Sequence, residues 1–237
     1  MAVTYEKALE ETMQNLEKIS LVTIENKEER KTQYFIEKVE ELKPKYFYNF
    51  VKRTFDIFSS GLALIVFFIP MIIIAVSIKA NSKGPIIYAQ ERLGRNGKPF
   101  KLYKFRSMYI DAEKNGPQWA KEHDNRVTKV GRFLRLTHLD ELPQLFNILK
   151  GDMSFIGPRP ERAVFYEEFE TYIHGFKQRL LVKPGLSGWA QVNGGYDLLP
   201  EEKIIYDIYY IKNRSLLLDL KCLIKTIGVV FKRRGVR

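Results

Sequence analysis

Between Phe55 and Ile78 the chain is almost wholly apolar, and the stretch from Gly61 to Ile78 carries no charge. A run of this length predicts a membrane helix, with a buried core helix as the alternative. Pro70 stands mid-run, where it removes a backbone donor and bends a helix. Lys43, Lys45, Lys52 and Arg53 precede the run, and Lys79, Lys83, Arg92, Arg95 and Lys98 follow it. Positive charge marks the cytoplasmic side. Basic flanks at both ends therefore favour a hairpin kinked at Pro70, entering and leaving by one face, over a straight span. Residues 46–80 are assigned to it, with Tyr46, Phe47, Tyr48 and Phe50 as an interfacial aromatic belt.

On either side the pattern turns amphipathic. In residues 1–45, Leu9, Met13, Leu16 and Ile19 follow a helical period, and Phe35, Val39 and Leu42 repeat it before Pro44. One or two helices are expected there, packed on the body or on a second copy in a homodimer; a solvated arm is the alternative. In residues 216–237, Leu220, Leu223, Ile224, Ile227 and Val230 form an apolar stripe beside Lys221, Lys225, Lys232, Arg233 and Arg234. Such a basic amphipathic helix can lie on anionic lipid or pack on the body with a solvated basic face.

Residues 81–215 mix short strands and helices. Ile86 to Gln90 and Phe100 to Met108 read as strands around the turn at Gly94 to Gly97. Residues 110–130 read as a helix and loop over the site, and Gly131 to Leu136 as a further helix. Phe165 to Tyr172 and Glu201 to Tyr210 are helical, separated by a glycine-rich segment from Lys183 to Gly195. The fold class expected is α/β, in the helix-rich α+β sense: a small catalytic domain with a re-entrant helix and interfacial helices.

The stretch Leu139-Asp140-Glu141-Leu142-Pro143-Gln144 concentrates the chemistry. Leu142, Leu145, Phe146 and Leu149 share one helix face, Pro143 suits a first turn, and Gly151 is a natural C-terminal cap. Asp140 and Glu141 therefore fall at or just before a helix N-terminus, where the dipole favours an ionised carboxylate. Asp140 could be an ordinary N-cap. Its company argues otherwise, since Arg135 precedes the pair and Arg159 and Arg162 follow on a Gly/Pro-rich loop. Carboxylates among arginines suit phosphate handling with a divalent metal.

Composition narrows the partners. Against 28 acidic residues stand 39 Lys and Arg, a net charge of +11, which favours anionic partners. The lone Cys222 rules out an internal disulfide. His123, His138 and His174 are scattered without zinc spacing, so any metal is expected to be a hard, oxygen-bound ion such as Mg²⁺. No signal peptide is expected.

Several motifs occur in order: Lys104-Phe-Arg-Ser-Met108, Leu139 to Gln144, Gly151-Asp-Met-Ser, Gly157-Pro-Arg-Pro160, Lys183-Pro-Gly, Gly188-Trp-Ala-Gln-Val-Asn193 and Asp207-Ile-Tyr-Tyr210. Together, behind a proline-broken apolar segment, they resemble the bacterial sugar transferases, the small monotopic phosphoglycosyl transferases, over residues 48 to 232. The resemblance implies that Asp140 attacks the β-phosphate of a UDP-sugar, releases UMP, and passes the sugar phosphate to a polyprenyl (undecaprenyl) phosphate. Glu141 would bind Mg²⁺ (or Mn²⁺) with Asp140, or deprotonate the lipid phosphate; these roles are not separated. Lys104, Arg135, Arg159 and Lys183 match basic site residues and Asp207 a functional carboxylate, with Arg106 and Arg162 as further phosphate ligands.

The reaction would open exopolysaccharide, O-antigen or glycan assembly at the cytosolic face of the inner membrane, feeding downstream glycosyltransferases. Two departures stand out: Ile69 replaces a polar Ser before the membrane proline, and Gly195 replaces a basic residue. A lipid-phosphate enzyme without a covalent intermediate is the rival enzyme. A membrane-tethered nucleic-acid binder would explain the charge but not the Asp-Glu turn, and nucleic acid is not expected as a partner.

Overall fold

The computed structural model describes residues 24–25, 32–39, 42–114, 116, 124–194 and 198–232. Two short strands, β1 (Ile24–Glu25) and β2 (Thr32–Phe35), come first, followed by helices α1 (Tyr46–Val66) and α2 (Phe68–Asn81). A hairpin of β3 (Ile87–Leu93) and β4 (Pro99–Phe105) leads to α3 (Lys129–Leu136) and α4 (Gln144–Lys150). Then come β5 (Ser154–Ile156), α5 (Ala163–Glu170), β6 (Ile173–His174), β7 (Gly185–Ser187), α6 (Trp189–Asn193), α7 (Pro200–Asn213) and α8 (Leu216–Lys232). The fold is a mixture of helices and small sheets, as the alternating patterns predict.

α1 and α2 meet at a bend of 61°. The break falls at Phe67, so Pro70 stands in the first turn of α2. Without an N–H, Pro70 cannot bond the Val66 carbonyl, and its ring crowds that carbonyl. The chain resumes helical bonding through Met71 N to Phe67 O, 2.8 Å. Among the described residues no single helix is long and apolar enough to cross a membrane, but this bent pair passes that test jointly. Around the bend the surface is apolar: Ile65 is 76% exposed and Ile69 61%.

The two legs are gripped by arginines from opposite directions. Arg53 of α1 donates to the carbonyls of Ile148 (2.7 Å) and Leu149 (2.8 Å), satisfying the C-terminus of α4. Arg106 donates to the carbonyls of Ser82 (2.8 Å) and Lys83, just past the end of α2. Ile74 and Ile78 of α2 are buried with Phe105 and Leu134, tying that helix to β4 and α3.

Tyr48 departs from the expected aromatic belt. Tyr46, Phe47 and Phe50 are exposed, whereas Tyr48 is buried and donates to Asp219 of α8 (3.0 Å). Lys52 pairs with the same carboxylate at 2.7 Å, and Tyr210 donates to it at 2.8 Å. Lys52, counted in the sequence as a membrane flank, is thus a half-buried ion-pair partner.

Strand pairing overturns the helix expected at Phe35, Val39 and Leu42. β2 pairs antiparallel with β1 and parallel with β6, Tyr34 opposite Ile173 and Phe35 opposite His174. Ile36 and Val39 then enter the main core with Phe169, Ile173 and Phe176. Backbone bonds to a distant strand outweigh the local period. The helix expected over Leu9 to Ile19 lies outside the described residues.

α8 is a helix as expected, but its faces are not basic against apolar. Leu218 and Cys222 are buried in the core, while Leu217, Leu220, Ile224 and Ile227 are exposed. Lys225 folds back onto the body over the Trp189 ring, 4.6 Å from its centroid, and donates to Asn193 at 2.7 Å. The outward face is therefore the more apolar one.

Candidate active site

Asp140 and Glu141 lie in a 3₁₀ turn, Leu139–Glu141, directly before α4. His138, in the left-handed region at φ 56°, reverses the chain between α3 and this turn. α4 buries Leu145 and Ile148, while Phe146 and Leu149 point outward, so the buried face is narrower than the expected stripe. Gly151 caps the helix at φ 100°. Asn147 fixes α4 to β4, accepting from Tyr103 N at 3.1 Å and donating to Lys101 O at 2.7 Å. That brace brings Lys104 of β4 against the Asp-Glu turn.

Glu141 is engaged on both sides. Lys104 Nζ stands 2.9 Å and Arg159 2.5 Å from Oε1. Burial opposes its ionisation, but Arg159 and Lys104 hold its carboxyl well below the usual carboxylate range. Asp140 differs. It is 7% exposed, its side chain makes no capping bond, and among the described residues no donor bonds its carboxylate. Burial pushes it above the usual range, Lys104 pulls it down, and the adjacent Glu141 charge adds to the rise.

Two chambers flank the pair. A polar one of about 320 Å³ is lined by Asp140, Lys104, Arg135, Arg162, Tyr88 and Arg126, among others. An apolar one of about 230 Å³ lies on the other side. His138, Glu141, Arg159, Glu161 and Lys203 border both. The described residues 110–114 and 124–128 are turns and a bridge, the helix expected in this segment falls where residues 115 and 117–123 lie outside the described residues, and Glu113 bonds Arg162 at 2.8 Å across the polar chamber.

The structure thus brings Lys104, Arg135, Asp140, Glu141, Arg159 and Arg162 together. Arg106 reaches the polar chamber wall, but its guanidinium serves Ser82 and Lys83. Lys183 lines neither chamber; its charged neighbours are Arg53, Asp56, Arg95 and Asp152, and burial lowers its ammonium pKa. What the Lys183-Pro-Gly motif contributes here is backbone: a side chain on Gly157 would collide with the Lys183 carbonyl. Asp207 borders the apolar chamber, bonded to Arg179 at 2.7 Å with both side chains 2% exposed. Arg179 in turn donates to the Arg159 carbonyl at 2.9 Å, so Asp207 sets the loop that carries Arg159.

The sequence profile of the bacterial sugar transferases matches residues 47–233. The chain belongs to this family. It is 45% identical over 199 residues to a UDP-N-acetylgalactosamine-undecaprenyl-phosphate N-acetylgalactosaminephosphotransferase of Aeromonas hydrophila, covering 83% of this chain and 47% of the relative. It is 46% identical over 181 residues to a UDP-glucose:undecaprenyl-phosphate glucose-1-phosphate transferase of Klebsiella pneumoniae (74% and 39%). It is 42% identical over 202 residues to an undecaprenyl-phosphate galactose phosphotransferase of Salmonella typhimurium (79% and 42%). The chain thus spans less than half the length of each of these relatives.

Within this sugar transferase, sequence reasoning missed His138, Glu161, Arg179 and Lys203 at the chamber borders. Arg92 holds Glu161 at 3.0 Å, and Lys203 reaches the site from α7, a helix marked in the sequence only by Asp207. A lysine one turn before that aspartate was the available signal.

Proposed function

We propose that the chain transfers a sugar 1-phosphate from a UDP-sugar to polyprenyl phosphate, releasing UMP through a covalent intermediate on Asp140. The observation that carries this reading is Asp140 itself, a largely buried residue on the polar chamber whose carboxylate has no hydrogen bond among the described residues and lies in the field of Lys104, Arg135 and Arg159. An Asp140 oxygen bonds the β-phosphorus as the bond to the bridging diphosphate oxygen breaks, and UMP leaves. An oxygen of the lipid phosphate then bonds the same phosphorus, and the bond to Asp140 breaks. Lys104, Arg135 and Arg159 face the negative charge that gathers on the phosphoryl oxygens. Glu141, held far below the usual range, is a poor proton acceptor and acts by positioning Lys104 and Arg159.

The donor set fits Mg²⁺ with Asp140 and Glu141 as protein ligands. Among the described residues there is no cluster of three or more metal-ligating side chains, and Mg²⁺ characteristically combines one or two carboxylates with substrate phosphates and water. Bound there, the ion, or Mn²⁺ in its place, would offset diphosphate charge. Relatives named for N-acetylgalactosamine, glucose and galactose support the shared reaction class while differing in sugar.

The exposed bend of α1–α2 and the outward faces of α8, Phe133 of α3 and Phe146 of α4 support a monotopic arrangement on the cytosolic face of the inner membrane. The lipid-linked product would pass to glycosyltransferases.

The test is UMP release from a panel of UDP-sugars by protein in lipid discs. A burst of about one UMP per chain without acceptor, Mg²⁺-dependent and lost on chelation, is expected. Release only when polyprenyl phosphate is added would replace the covalent route with direct transfer.

A further inference from the structure

We infer that the apolar chamber is the acceptor subsite, holding the first isoprene units of the polyprenyl phosphate while its phosphate sits at the border shared with the polar chamber. This inference rests on the proposed reaction and assigns its acceptor a place.

The chamber joins two unlike ends. Its body is lined by Phe155, Leu186, Ala190, Val192, Leu223 and Val229, and its inner end by Glu141, Arg159 and Lys203. Apolar walls leading to cations match a chain that is hydrocarbon throughout and anionic at one tip. The polar groups in the walls are largely consumed by one another. Ser187 and Thr226 hydroxyls bond at 2.7 Å, and Gln191 Nε2 donates to the Leu186 carbonyl at 3.0 Å. Among the described lining residues, Gln191 Oε1, His138 Nε2 and Arg179 Nη1 are the buried polar atoms left without a partner. A nucleobase buried here would leave most of its own edge unsatisfied, which costs free energy, whereas an isoprenoid has no such groups.

One wall decides between an isoprenoid and a soluble apolar ligand. Leu223, Thr226 and Val229 of α8 face the chamber, while Leu220, Ile224 and Ile227 of the same helix are exposed on its other side. A single helix thickness separates the chamber from the surface on which the lipid is proposed to lie. The reaction geometry agrees. In-line displacement makes the incoming phosphate oxygen take the side from which UMP departed, opposite the Asp140 oxygen. Asp140 lines only the polar chamber, and the shared border with Arg159 and Lys203 gives onto the apolar one.

The probe is a long-chain polyprenyl phosphate carrying a diazirine on its first isoprene unit, photolysed with the full chain in lipid discs and mapped by mass spectrometry. Label is expected on residues 186–192 and 223–229, and excess unmodified lipid should abolish it. In steady state, Leu223→Trp should raise the acceptor KM at least tenfold and leave the UDP-sugar KM within twofold. Label confined to α1–α2 or to the polar chamber overturns the assignment, as does protection of residues 186–192 by uridine alone. A parent chain that releases UMP but is not labelled there loses the subsite and keeps the reaction. Labelling without any UMP release would do the reverse.

Discussion

Asp140 and Asp207 are both buried aspartates near Arg159, yet their surroundings are opposite. Asp207 is matched by one guanidinium at bonding distance, and the Arg179 side chain it orients continues to the Arg159 backbone. Asp140 has cations around it but, among the described residues, no donor on it, because Glu141 takes Lys104 and Arg159 for itself. A satisfied carboxylate holds structure, and an unsatisfied one among cations is available to bond something else. Proximity to arginine does not distinguish the two; the hydrogen-bond account does.

Paired substitutions separate the two aspartates most clearly. Asp140→Asn should lower UMP release by at least about 10³-fold, since the proposed nucleophile is removed, with no loss of thermal stability. Asp207→Asn should do the converse, costing about 3–5 kcal/mol of stability by leaving Arg179 as an uncompensated buried charge. Calorimetry or denaturant unfolding beside the UMP assay reads both. If Asp207→Asn folds normally and loses turnover alone, its carboxylate belongs to the chemistry.

Next in size is a pH effect. Burial raises Asp140, so the folded state holds its proton above the range where the unfolded chain, at about 3.9, has released it. Between those values stability falls as pH rises, and Asp140→Asn removes that fall and melts higher than the parent at neutral pH. In the proposed mechanism UMP release needs the carboxylate, so its acid limb should lie above the ordinary aspartate range. Arg135→Ala should move that limb further up, because a cation that favours the charged form is gone. A limb that stays in the ordinary range would mean Asp140 is better solvated than its burial implies.

The smallest effect sharpens the contrast from a third carboxylate. Asp219 is satisfied by Lys52, Tyr48 and Tyr210. Tyr48→Phe should cost about 1 kcal/mol in unfolding, since two donors remain, and leave UMP release unaltered.

Much of this was legible in the chain. Asp140, Glu141, Arg135 and Arg159 come together as their spacing around a short capped helix predicted, and Pro70 marked the bend to within three residues. Lys183 and Arg106 misled for one reason. Arg106 is aimed at backbone carbonyls and Lys183 lies outside both chambers, yet in sequence each reads the same as a cation aimed at phosphate, and only tertiary neighbours separate them. Thr32–Phe35 became a strand because its partner, Ile173–His174, lies some 140 residues away, beyond any local period. Tyr48 looked like its exposed aromatic neighbours. The clue to its burial was Asp219, an acid inside the apolar run of α8.

The arginine grips at the two legs of the bent helix pair have a mechanical meaning. Arg53 ties the descending leg to the C-terminus of α4, and Arg106 ties the returning leg to the strand end that carries Lys104. The carboxylates are therefore suspended at a fixed height above whatever depth the bend reaches. In the proposed monotopic arrangement both legs would return to one surface, and that height would be set by a single leaflet, without the thickness of the opposite one entering. The pair would then work as a float rather than a bolt, carrying the reaction plane up and down with the headgroup layer in which the proposed acceptor phosphate would reside.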